Sequence, residues 1–73
     1  MKRVRILITP KKGLLDPQGR AVEEMLQDQG YDVKDVIVGK LVEMYVKEDT
    51  DVKTLVEKFI VNPLIEDYRI EEF

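Results

Sequence analysis

The chain has no cysteine, no histidine and no tryptophan among its 73 residues. Each absence removes a class of chemistry. Without cysteine there is no disulfide to staple a small domain, no thiolate nucleophile and no Cys-x-x-Cys metal or redox pair. The same absence fits a reducing, cytoplasmic setting. Without histidine the commonest general base at neutral pH and the commonest metal ligand are both missing. No apolar run reaches the length of a membrane span, and the first residues carry no signal-like apolar region, so no membrane association is expected. A formal net charge of −3 argues against broad nucleic-acid binding.

What is present is a globular composition, 44% hydrophobic and 37% charged, read as one domain over residues 1–73. A chain this short buries only about 60% of the surface its unfolded form exposes and is marginal alone. With disulfides and soft-metal sites excluded, a homodimer or higher homo-oligomer is the expected source of further stability.

Arg3 to Ile8 alternate with Val4, Ile6 and Ile8 on one face, the period of a strand. Asp16 then reads as a helix N-cap, with Pro17 at the first helical position. Val22, Met25, Leu26 and Gln29 follow at helical spacing, and Gly30 closes the segment. Gly19 breaks the pattern at the third helical position, where glycine costs about 1 kcal/mol against alanine. A close backbone approach there would explain it. Val33–Val38 and Leu41–Lys47 read as two strands, with Gly39 and Lys40 as a tight hairpin or sharp bend between them. Asp49 or Thr50 can cap a second helix, whose apolar stripe is Val52, Leu55, Val56, Phe59 and Ile60. Asn62-Pro63 ends it, and Ile65–Glu72 forms a last strand.

The order β-α-β-β-α-β predicts an α+β, ferredoxin-like two-layer sandwich, an antiparallel sheet with two helices on one face. Five basic residues and no acid lie in the first twelve positions, whereas Glu66, Asp67, Glu71 and Glu72 crowd the last strand. Opposite charges favour pairing of these two strands, within one chain or between two.

A catalytic reading finds little. Adjacent carboxylates such as Glu23-Glu24 diverge on a helix, and the threonines have no histidine to activate them. No Gly-Lys-Ser/Thr follows the glycines as a phosphate loop would need, and Tyr45 is the only aromatic residue where RNA-binding relatives of this fold stack bases. Catalytic residues, metal and cofactor are all expected to be none. The outer sheet face is more informative: Leu7, Ile37, Leu41 and Tyr45 fall out of register with the core set and would leave an apolar patch suited to a partner.

Three segments resemble the PurS family, the small subunit of phosphoribosylformylglycinamidine synthase. They are Leu15-Asp16-Pro17-Gln18-Gly19-x-Ala21, then Val38-Gly39-Lys40-x-x-Glu43, then Val61-Asn62-Pro63-Leu64-Ile65-Glu66-Asp67-Tyr68. The chain departs in having Phe59 and Ile60 where many relatives carry a cysteine-containing stretch. The resemblance implies a non-catalytic subunit that dimerises and bridges two larger ones in purine biosynthesis. One is a glutaminase (PurQ) that releases ammonia, the other an ATP-dependent synthetase (PurL) that consumes it, with the small subunit helping to enclose the ammonia path. In that setting the Asp16–Gly19 loop, Gly39-Lys40 and Asn62-Pro63 are structural or partner-facing. A different class stays open: a small-molecule-sensing regulatory module of βαββαβ topology, binding a metabolite near residues 13–19.

Overall fold

The computed structural model describes all of residues 1–73. Three strands, β1 (Lys2–Pro10), β2 (Lys40–Val46) and β3 (Glu66–Glu72), form one antiparallel sheet in the order β2-β1-β3. β1 lies in the middle, and its alternation puts Val4, Ile6 and Ile8 on the one face that the core covers. Ile6 stands opposite Val42 on β2 and Ile70 on β3, and Val4 opposite Met44. Val4, Ile6 and Ile8 are buried, and Val52, Val56 and Val61 close over them as the rest of a six-residue core.

The second helix, α2 (Val52–Leu55), runs on as a π-helical turn over Val56–Ile60. Its cap is Asp51, one or two residues beyond the expected Asp49 or Thr50. The Asp51 carboxylate accepts from the Thr54 amide at 3.3 Å and the Thr54 hydroxyl at 2.7 Å. The π-turn closes with Val61 N–H donating to the Val56 carbonyl at 3.0 Å. Its extra residue shifts the helical phase. The predicted stripe therefore breaks at Phe59, which is 80% exposed, while Val56 is fully buried.

The architecture is α+β and ferredoxin-like, and the first and last strands pair within the chain. Ion pairs between Lys2 and Glu72 (3.2 Å) and between Lys11 and Asp67 (3.1 Å) join them, as the charge asymmetry implies. The first helix, α1 (Pro17–Asp28), is capped by Asp16 with proline at its start, as expected. Gly30, at φ +91°, follows its end.

The predicted strand Val33–Val38 and the hairpin at Gly39-Lys40 are not formed within the chain. Residues 31–39 carry no turn or bend, and β2 simply continues them from Lys40. A two-residue hairpin requires a residue in the left-handed region. Here the positive-φ residues are Gly13, Gly30 and Asp35, and Gly39 is not among them. The chain therefore does not fold back, and residues 33–38 run alongside α1 away from the sheet. Helix and extended segment together form an arm. The molecule measures 48 × 24 × 12 Å, with a radius of gyration of 15.3 Å, against about 11 Å for a compact domain of this length.

Candidate functional site

The arm is held by one polar stripe on α1. Asp16, Gly19, Glu23 and Gln27 recur every three or four residues, and so lie on one side of the helix. That side meets the extended segment. Asp16 Oδ1 accepts from Gly19 N–H at 3.0 Å, the ordinary capping bond, while its other oxygen accepts from Val38 N–H at 3.1 Å. Glu23 Oε1 accepts from Val36 N–H at 3.0 Å, and Gln27 Nε2 donates to the Val33 carbonyl at 3.0 Å. Three side chains thus do for this segment what a neighbouring strand would do through its backbone. Gly19 is the gap that allows it, since a Cβ there would lie 2.5 Å from the Val36 carbonyl oxygen. The expectation of a close approach at Gly19 holds, and the approaching backbone belongs to the same chain. The sequence presents Glu23 only as half of a diverging carboxylate pair with Glu24 and gives Gln27 no prominence; the 16/19/23/27 spacing is the signal that picks both out.

Gly39 answers a second close approach. A Cβ on it would run into the Ile8 carbonyl oxygen and stand 3.1 Å from Thr9 Cγ2, so β1 leaves no room for a side chain. Lys40 next to it reaches Glu66 Oε2 at 3.4 Å. Glu66 Oε1 in turn accepts from the Asn62 amide at 2.8 Å, and Asn62 Oδ1 accepts from Leu64 N–H at 3.1 Å. The Asn62 carbonyl accepts from both Ile65 and Glu66 amides, at 3.1 and 2.9 Å. Pro63 lies inside this turn. The amide of Asn62, aided by the Lys40 charge, holds the Glu66 carboxyl below the usual carboxylate range. Across the sheet, Glu57 accepts a hydrogen bond from the Tyr68 hydroxyl and pushes that phenol above its ordinary value.

These separate stretches of sequence meet at the root of the arm. A cleft of about 560 Å³ there is lined by Leu15 and Gln18 from the first stretch, Val38, Gly39 and Lys40 from the second, and Ile65 and Glu66 from the third. Its floor is Ile8. Asp16, Gly19 and Asn62 stand beside the cleft and hold its lining segments through the bonds just described, with Pro63 inside the Asn62 turn. Leu7, Leu41 and Tyr45 share the outer sheet face, with Leu7 directly opposite Leu41. Ile37 lies on the same continuous stretch, four residues before Leu41, but beyond the end of the sheet. Leu41 and Ile37 are each 55% exposed and Tyr45 is 65% exposed. Beside them Arg3 and Arg5 stack over the Phe73 ring, 4.5 and 5.2 Å from its centroid, and both reach Glu43 at 3.4 Å. No group of three carboxylates stands close enough to hold a metal ion.

A family model described as PurS, phosphoribosylformylglycinamidine (FGAM) synthase, matches residues 3–72. The chain belongs to the PurS family. It is 42% identical to the phosphoribosylformylglycinamidine synthase subunit PurS of Bacillus subtilis, over 97% of this chain and 92% of that one. The Methanocaldococcus jannaschii PurS subunit is 30% identical over 97% of this chain and 94% of its own. Among solved structures, a Bacillus subtilis PurS crystal form superposes with a TM-score of 0.85 at 40% identity, covering 100% of this chain and 99% of that one. A chain of the Thermotoga maritima PurLQS structure gives 0.85 at 26% identity, covering 99% and 96%. Both superpositions run over 99–100% of this chain, so the residues of the projecting arm fall within the matched length.

Proposed function

We propose that the chain is the small, non-catalytic subunit of phosphoribosylformylglycinamidine synthase, acting in purine biosynthesis in the cytoplasm. The observation that carries this reading is the family match across residues 3–72. One structural relative is a chain of a PurLQS structure, which supports a glutaminase (PurQ) and an ATP-dependent synthetase (PurL) as the partners here. The absence of cysteine and histidine supports a role in assembly. The larger subunits supply the glutamine hydrolysis and the ATP chemistry, and this one joins them and helps to enclose the ammonia path. Self-association belongs to the same reading, because six buried residues make a small core for an elongated chain. No helix is long and apolar enough to cross a membrane.

The test is capture from native extract with the tagged chain. Recovery of a glutaminase and an ATP-dependent synthetase in stoichiometric amounts is the expected result. Recovery of neither, with a small metabolite retained instead, would move the chain to the regulatory-module class.

A further inference from the structure

The outer face of the sheet carries two arginines that the chain itself does not satisfy. Arg3 and Arg5 are two residues apart on β1 and so point to the same side. Both reach the same oxygen, Glu43 Oε1, at 3.4 Å. Arg5 Nε makes a hydrogen bond there. Arg3 Nε does not, and although it is shut off from solvent it has no partner. Glu71 stands directly opposite Arg5 on β3, but its carboxylate is turned to Arg69 at 3.7 Å. One carboxylate thus serves two guanidiniums, in a chain whose net charge is −3. The Phe73 ring holds the two like charges together, 4.5 and 5.2 Å from its centroid, because its negative π face attracts cations. Phe73 is fixed beside Arg3, to whose carbonyl its amide donates at 2.9 Å. Both forks are therefore oriented before anything binds, with side chains still 37% and 39% exposed.

We propose that this face docks a larger subunit of the synthase, which presents carboxylates to Arg3 and Arg5. The proposal rests on the subunit reading above and names the face that such a partner uses. The chemistry of the site selects the occupant. Guanidinium forks pair two-pronged with oxyanions. Neither arginine lines any of the molecule's clefts, so the site is flat and suits a macromolecular surface better than a small anion. The acidity of the chain as a whole works against a nucleic-acid backbone, which leaves the carboxylates of a protein. The neighbours on this face complete the surface. Leu7 and Leu41 face each other across the strands, and Tyr45 stands opposite Arg3. Leu41 and Tyr45 are both well exposed. A partner that covers these apolar groups strips water from the arginines as well, and each buried donor then needs an acceptor. Glu43 alone cannot serve both guanidiniums. Acidic side chains on the partner can.

The probes are the purified cognate synthetase and glutaminase, each titrated with the full chain at several salt concentrations. Arg3→Gln and Arg5→Gln should each weaken the complex by about tenfold or more and flatten its salt dependence, without a matching loss of thermal stability. Lys58→Gln, an equal loss of charge on the helical side of the sheet, should leave the affinity unchanged. Glu43→Gln should act with the opposite sign. With the internal acceptor gone, both guanidiniums are free for the partner, and binding should tighten several-fold. That variant decides the matter even where the arginine variants fold poorly. A parent chain that binds neither subunit overturns the subunit reading and this proposal with it. Arginine variants that bind like Lys58→Gln, or a Glu43→Gln chain that binds more weakly, overturn the docking face alone. Arginine variants that lose self-association while binding both subunits normally also overturn it, and give the face to a second copy.

Discussion

Asp16 and Val38, twenty-two positions apart, are joined by a 3.1 Å hydrogen bond from the Val38 amide to a carboxylate that also caps α1. One side chain therefore fixes the start of the helix and the path of the segment returning beside it. Asp16→Ala should remove both. Loss of a cap costs about 1 kcal/mol, and leaving the half-buried Val38 amide without a partner adds about as much again. Urea melts should show the larger combined loss, and amide exchange should quicken at both Gly19 and Val38. An effect confined to Gly19 would mean that the second bond contributes nothing.

Gly19→Ala sets helix propensity against space. Propensity alone would stabilise the chain by up to about 1 kcal/mol. The added methyl, however, meets the Asp16 carboxylate and the Val36 carbonyl, and so separates the arm's two halves. Net destabilisation is expected, read from thermal melts alongside Gly13→Ala. Gly13 has open space around it, so the strain there comes only from its φ of +84°.

The strands, the caps at Asp16 and Gly30, and the pairing of first and last strands were legible because each is written locally, as alternation, as a capping residue or as a charge block. The path of residues 33–38 was not. Val33, Val36, Ile37 and Val38 have strand propensity, and propensity does not say which edge they will meet. What decides it is the α1 stripe of Asp16, Glu23 and Gln27 together with the left-handed Asp35, and only the folded chain brings these together. Phe59 was misplaced for a similar reason: one extra residue in the π-turn changes the phase of everything after it. The cleft at the root of the arm was visible only as three motifs in order, with nothing in their spacing to say that they converge.

Ile6 is fully buried in a core of six residues. Ile6→Ala should cost about 2–5 kcal/mol, a large share of the stability of so small a domain. Ile6→Val should cost only about 0.5–1.5 kcal/mol. Denaturant midpoints of the two variants at one protein concentration would give the comparison.

Glu66 ties the Asn62 turn to Lys40, and its carboxyl is held below the usual range by the Asn62 amide. A depressed folded-state pKa means that the ionised form stabilises the fold. That contribution is complete above the ordinary carboxylate value of 4.5 and fades as pH falls through the lower folded value. Glu66→Gln should therefore be less stable than the parent at neutral pH, with the difference shrinking under acid. A difference that stays constant down through the carboxylate range would show that the charge on Glu66 is not what holds the turn.

The central claim is that this chain completes a glutamine-dependent synthase. The most direct measurement is glutamine-dependent formation of formylglycinamidine ribonucleotide by the purified cognate synthetase and glutaminase, with and without this chain. Activity that is low for the pair and rises to saturation as the chain is added in stoichiometric amounts is the predicted result. Full activity from the two larger subunits alone, unchanged by any amount of the chain, would contradict the account.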